Sequence, residues 1–97
     1  MTEVRIRYLG LIQRTVGKRQ EVVHLPKRST LGDLLNHLAA EYGSEFEEKL
    51  WEAGELGPHV TVLVDGINVS RPGGLETILE GQGSVEIVVL GPPPMGG

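Results

Sequence analysis

One stripe of apolar residues limits the folds open to this chain. Leu31, Leu34, Leu35, Leu38, Ala39 and Tyr42 fall at i, i+3, i+4, i+7, i+8 and i+11, a single face of one helix. Thr30-Leu31-Gly32-Asp33 has the form of a capping box with Asp in place of Glu, and Gly43 stands where such a helix stops. Asp33 and His37, four residues apart on the opposite face, read as a surface pair contributing about 0.3–0.5 kcal/mol. The remaining apolar segments are strand-like or short, so any sheet they form has one long helix to bury itself against.

Those segments alternate with period two. Val4, Ile6 and Tyr8 alternate with Arg5 and Arg7, and Leu9 to Ile12 extends the apolar character toward a turn at Gly17-Lys18. Gln20 to Leu25 alternates again, Val23 and Leu25 on one face and Val22 and His24 on the other, so the two runs suit an antiparallel hairpin. Ser44-Glu45-Phe46-Glu47 forms a second capping box, opening a short helix to about Ala53 in which Phe46 and Leu50 share a face. Trp51 beside them reads as a residue at the core's edge, with a partner-binding anchor as the alternative. Gly54 to Pro58 is a turn-rich loop. Val60, Val62 and Val64 make a strand, Asp65-Gly66 a tight turn, and Ile67 and Val69 begin a short return. Leu75, Ile78 and Leu79 suit one helical turn. The last strand, Ser84 to Leu90, is apolar on both faces and so belongs in the centre of the sheet. Pairing it with the first strand makes the two parallel. The predicted architecture is α+β: a mixed sheet of four to five strands curled around one main helix, the β-grasp arrangement of ubiquitin-like folds.

Composition removes most function classes. A 97-residue chain with 39% apolar residues suits one domain. The net charge of −4 comes from acids and bases that read as interspersed, and four aromatic residues offer no stacking platform, so nucleic acid is not an expected partner. No apolar run reaches the roughly 18–20 residues of a membrane helix, and the N-terminus lacks a secretory h-region, which predicts a cytoplasmic protein with no membrane partner. Absence of cysteine excludes disulfides, thiolate metal sites, a cysteine nucleophile and a side-chain persulfide. His24, His37 and His59 lack metal-ligand spacing, and the serines sit in cap or turn contexts. Arg71-Pro72-Gly73-Gly74 reads as a loop before it reads as a phosphate nest. No acid, base and nucleophile assemble, so no catalytic residue and no metal site is predicted.

The final segment, Gly91-Pro92-Pro93-Pro94-Met95-Gly96-Gly97, reads as a flexible tail (residues 91–97) on a domain spanning residues 1–90. Three prolines favour a stiff, extended base rising about 3.1 Å per residue. Gly96 and Gly97 have no Cβ and can enter a channel too narrow for other residues. If sulfur is handled here, only the terminal carboxylate is left to carry it.

In this order, Val4-Arg5-Ile6-Arg7-Tyr8 with Val16-Gly17, Thr30 to Leu35, Val64 to Val69, and Leu79-Glu80-Gly81-Gln82-Gly83-Ser84-Val85, closed by Gly96-Gly97, resemble the MoaD/ThiS family of ubiquitin-like sulfur carrier proteins. The approach to Gly-Gly through Leu90-Gly91-Pro92-Pro93-Pro94-Met95, and the glutamine in the Gly81-Gln82-Gly83 turn, depart from that pattern. The resemblance implies a carrier, not an enzyme, of the molybdopterin synthase small-subunit type. Gly97 is then adenylated and thiocarboxylated, Gly96 and Met95 thread and position the tail, and no cofactor is bound. ATP is used by the activating enzyme, a ubiquitin-activating-type adenylyltransferase, and the sulfur acceptor is the molybdopterin synthase large subunit or another biosynthetic synthase. A carrier for thiamine or cysteine synthesis, a ubiquitin-like protein modifier and a non-covalent docking domain are the alternatives. A partner-docking patch is expected on the sheet face away from the main helix, built from Ile67, Val69, Val88 and Leu90.

Overall fold

The computed structural model describes residues 1–70, 73–79 and 82–91, except for the side chain of Gln82. Its strands are β1 (Thr2–Gly10), β2 (Gln20–Leu25), β3 (Trp51–Glu52), β4 (Glu55–Leu56), β5 (Val60–Val64), β6 (Ile67–Asn68) and β7 (Gln82–Val89). The helices are α1 (Leu11–Val16), α2 (Leu31–Tyr42) and α3 (Ser44–Leu50), with a 3-10 turn at Gly74–Glu76.

Five strands form one sheet in the order β2-β1-β7-β5-β6, and β3 and β4 make a separate two-stranded hairpin. β7 is central, parallel to β1 and antiparallel to β5. This is the β-grasp arrangement expected from the sequence. Its cause is visible in the side chains: Val85, Ile87 and Val89 are buried, and they register against Ile6, Tyr8 and Gly10 on one side and Val64, Val62 and Val60 on the other. The apolar stripe of α2 enters the same core, with Leu31, Leu34, Leu35 and Leu38 fully buried. Thr30 Oγ1 accepts from the Asp33 amide at 3.1 Å and Asp33 Oδ2 accepts from the Thr30 amide at 2.9 Å, closing the capping box.

Several local expectations need correction. β1 and β2 pair antiparallel but are not joined by a simple turn, because Leu11–Val16 is a helix that buries Ile12 and Val16. Asp33 does not pair with His37. Its carboxylate is used in the cap, and His37 instead lies 3.9 Å from Glu41. The second capping box does not form, because Gly43 (φ 84°) ends α2 and opens α3 at once, placing Ser44 already inside the helix. α3 stops at Leu50, and Trp51 begins the β3–β4 hairpin half-buried against the core. Return strand β6 is only two residues long because the Ser70 hydroxyl takes over as acceptor for the Val62 amide.

Candidate functional site

β7 carries the chain toward residues 92–97, so the end of this strand and the sheet surface around it form the candidate site. Tail residues Met95, Gly96 and Gly97, with Pro92 to Pro94, lie outside the described residues. The root of the tail is described, and it is braced from three sides. The Leu90 amide donates to the His59 carbonyl at 3.0 Å. Gly10 registers against Val89 so closely that a Cβ at position 10 would stand 2.1 Å from the Val89 carbonyl oxygen. Gly10 also has φ 75°, where an L side chain is strained, so glycine answers both demands at the point where β1 turns into α1. Gly91 then faces Leu11, whose Cδ1 would lie 3.5 Å from an added Cβ.

Around this root the sheet face opposite the core shows a graded surface. Directly opposed strand residues share a face. Leu9, Val88 and Thr61 therefore form one row, and Arg7, Glu86, Leu63 and Asn68 form the next, farther from the tail. Leu9, Leu63 and Val88 are half-buried, Leu90 is 60% exposed, and Leu11 stands beside it at 40%. Arg7 reaches Glu86 at 3.7 Å across the second row.

Of the four residues expected to dock a partner, Val88 and Leu90 lie on this face. Val69 does not: it is 6% exposed, its amide bonded to the Val62 carbonyl at 2.9 Å, because the short return strand turns it into the core. Ile67 is 66% exposed but registers against the buried Val64, so it projects on the core side of the sheet, at its edge. The other apolar side chains near the root are Leu9 and Leu63, both half-buried, and Leu11, 40% exposed. The alternation Arg5, Arg7, Leu9 was the signal for Leu9; the helix at Leu11 left none that strand periodicity could catch.

At the margin of the closed face, Glu21 registers against Ile6 and turns inward. Its Oε2 accepts from the hydroxyls of Tyr8 and Tyr42, each at 2.5 Å, and Lys18 lies 3.6 Å from Oε1. Burial alone would raise the Glu21 carboxyl, but the Tyr42 and Tyr8 hydroxyls and the Lys18 ammonium outweigh it and hold it below the usual carboxylate range. Burial, then the bond to Glu21, pushes the Tyr8 hydroxyl well above the ordinary phenol range, so it remains a donor. This cluster ties β1, β2 and α2 together. Of the two glycines in the motif that reads as a loop, Gly74 serves packing, since a Cβ there would stand 1.7 Å from the Val69 carbonyl oxygen, and Gly73 supplies the positive φ of 87° that opens the 3-10 turn. Arg71 and Pro72 of that motif lie outside the described residues.

A β-grasp body whose last strand is central and held at its exit agrees with the comparisons. The ThiS family model matches residues 6–97. Small archaeal modifier protein 3 of Haloferax volcanii is 33% identical over 95 residues, covering 98% of this chain and 99% of the relative. The solution structure of the Haloferax volcanii HVO 2177 protein superposes with a TM-score of 0.78 at 32% identity, covering 99% of this chain and 87% of that one. The crystal structure of small archaeal modifier protein 1 from the same organism gives 0.78 at 18% identity, over 94% of this chain and all of that one (100%), a likeness of fold. The chain belongs to the ThiS family of ubiquitin-like sulfur carriers and modifiers.

Proposed function

We propose that this protein is a cytoplasmic sulfur carrier that is adenylated and then thiocarboxylated at Gly97. The observation that carries the reading is the family match, which runs through Gly96-Gly97 on a domain whose last strand is central and braced at its exit. A terminal carboxylate is ionised at pH 7 and is a poor acyl donor. A ubiquitin-activating-type adenylyltransferase supplies the activation: a carboxylate oxygen of Gly97 attacks the α-phosphorus of ATP, and pyrophosphate leaves. A hydrosulfide equivalent from a sulfur donor then attacks the acyl carbon and expels AMP, leaving a thiocarboxylate. The chain contributes no acid or base to either step. It is the substrate, and its work is to present a slim, stiff tail. The acceptor we propose is the molybdopterin synthase large subunit, as the MoaD-like resemblance implies.

A second reading, attachment to lysines as a protein modifier, is favoured by the name of the 33% identical relative. Intact mass after incubation with ATP, the activating enzyme and a sulfur source separates the two. Replacement of one oxygen by sulfur supports the carrier, whereas Gly97 isopeptides on other proteins without any thiocarboxylate would overturn it. Gly96→Val, or one residue added after Gly97, is expected to abolish loading. Valine adds bulk and restricts φ, and an added residue replaces the reacting group. Full loading of the extended chain would remove the argument for the tail.

A further inference from the structure

The charge of this chain is segregated along its sequence, which corrects the expectation that acids and bases are interspersed. Residues 1–28 hold seven Lys or Arg against two acids, while residues 29–97 hold two against eleven. The topology converts this into a surface. Residues 1–28 are β1, α1, β2 and the turn beyond, one limb of the sheet. Arg5, Arg7 and Gln20 line a groove on the open face, and Arg7, Gln20 and Arg19 line its continuation toward Leu9 and Gly10. Only Arg7 is partly neutralised, by Glu86; neither Arg5 nor Arg19 has an ion pair among the described residues. The acids of α3 and the β3–β4 hairpin (Glu45, Glu47, Glu48, Glu52 and Glu55) lie outside this limb.

We infer that the Arg5–Arg7–Arg19 groove is the electrostatic half of the carrier's docking surface, and that it selects an activating enzyme with an acidic rim. The inference rests on the sulfur-carrier reading for the identity of that enzyme. Geometry carries the rest. The groove ends at Leu9 and Gly10, Gly10 registers against Val89, and Gly91 meets Leu11, so a partner that receives the tail covers the groove's lip. Leu9, Val88 and Leu90 then give that partner an apolar centre, and the arginines give it a charged rim. Arginine suits the task because its planar fork binds carboxylates bidentately. Rim charges act mainly on the rate of encounter and on the choice between partners. A nucleic acid is disfavoured, since the remainder of the molecule is acidic and Tyr8, the ring nearest the groove, is buried.

The test measures binding of the full chain to the activating enzyme of its own organism at low and at high salt, beside the intact mass after loading. The charge-reversed variant Arg5→Glu/Arg7→Glu/Arg19→Glu is compared with wild type. A neutral triple variant to Gln, with thermal unfolding of both, controls for folding. The expected result is an association rate at least about tenfold lower at low salt for the reversed variant, an intermediate rate for the Gln variant, and convergence of all three at high salt. Equal, salt-independent binding by the three proteins overturns the inference while a loaded wild type leaves the sulfur-carrier reading standing. Salt-dependent binding through the arginines with no thiocarboxylate does the reverse. No binding by wild type removes both. A single-stranded oligonucleotide retained through the same arginines, or a concentration-dependent dimer that the reversed variant dissolves, would assign the groove to another partner and overturn the proposal as well.

Discussion

Ile87 and Val88 are neighbours in β7 with opposite fates. Ile87 is fully buried, registered between Tyr8 and Val62 in the core. Val88 is half-buried, registered between Leu9 and Thr61 on the face opposite the core. The same alternation sets Ile6 against Arg7 and Val62 against Leu63. One face of the sheet holds the domain together; the other carries the half-buried and exposed side chains. A sheet with one long helix cannot close both faces, so its central strand must be apolar where it packs and tolerant where it does not.

The comparison is broken most strongly at its closed side. Ile87→Ala is expected to cost about 2–5 kcal/mol, for lost burial and the cavity left behind. Val88→Ala should cost less than about 1 kcal/mol and weaken partner binding instead. Urea unfolding of the two variants measures the contrast, and equal losses would mean that the two faces are not energetically distinct.

The closed face was legible in the sequence because burial on one side of a strand imposes period two, and on one side of a helix imposes the 3.6-residue stripe of Leu31 to Tyr42. The apolar positions that alternate on β1 and β5 and the stripe on α2 are buried, except Tyr42, which is half-buried at the core's edge; on β7, apolar on both faces, the period alone did not say which face was the core. What escaped was shorter than its own period. α1 has six residues, and its N-cap, Gly10, makes no side-chain capping bond. Ile12 and Val16, four apart before the left-handed Gly17, were its faint signature. The β3–β4 hairpin turns on Ala53 and Gly54, both with positive φ, and alanine gives no turn signal. Val69 was misplaced because a strand's alternation was continued past Ile67 without knowing which side of it faced the core. The basic limb escaped for another reason: a net charge describes the whole chain, and only the pairing of β1 with β2 collects the arginines on one surface.

Gly10 couples the two faces, since it lets β1 lie against Val89 at the tail's root. Gly10→Ala is expected to destabilise by about 1–3 kcal/mol, from strain at positive φ and the forced withdrawal of the Val89 carbonyl. The loosening should be local as well as global. Hydrogen exchange of the Leu90 amide, bonded to the His59 carbonyl, should accelerate by more than the loss of global stability accounts for. Unchanged protection at Leu90 would show that the root is held without Gly10.

The smallest effect concerns Glu21, the carboxylate at the margin of the closed face. Glu21 lies against Ile6 and would be out of place there without the Tyr8 and Tyr42 hydroxyls. Its pKa is lower in the folded chain than the ordinary carboxyl value of 4.5, so the folded state binds this proton less readily than the unfolded state. The stability it contributes is therefore present above about pH 4.5 and is lost as pH falls through the depressed folded value. Tyr8 works in the opposite sense. Its hydroxyl is raised from 10.0, so its contribution is present below pH 10.0 and is lost only on the strongly alkaline side. Glu21→Gln keeps the shape but exchanges charge-assisted bonds for neutral ones, at a cost of about 1 kcal/mol near pH 7. Most of that difference should vanish at acid pH, where Glu21 itself is protonated. Thermal unfolding of the pair from pH 7 downward makes the measurement. Curves that stay parallel would mean that the tyrosines hold the side chain by shape, and that a carboxylate on the closed face needs no charge to remain there.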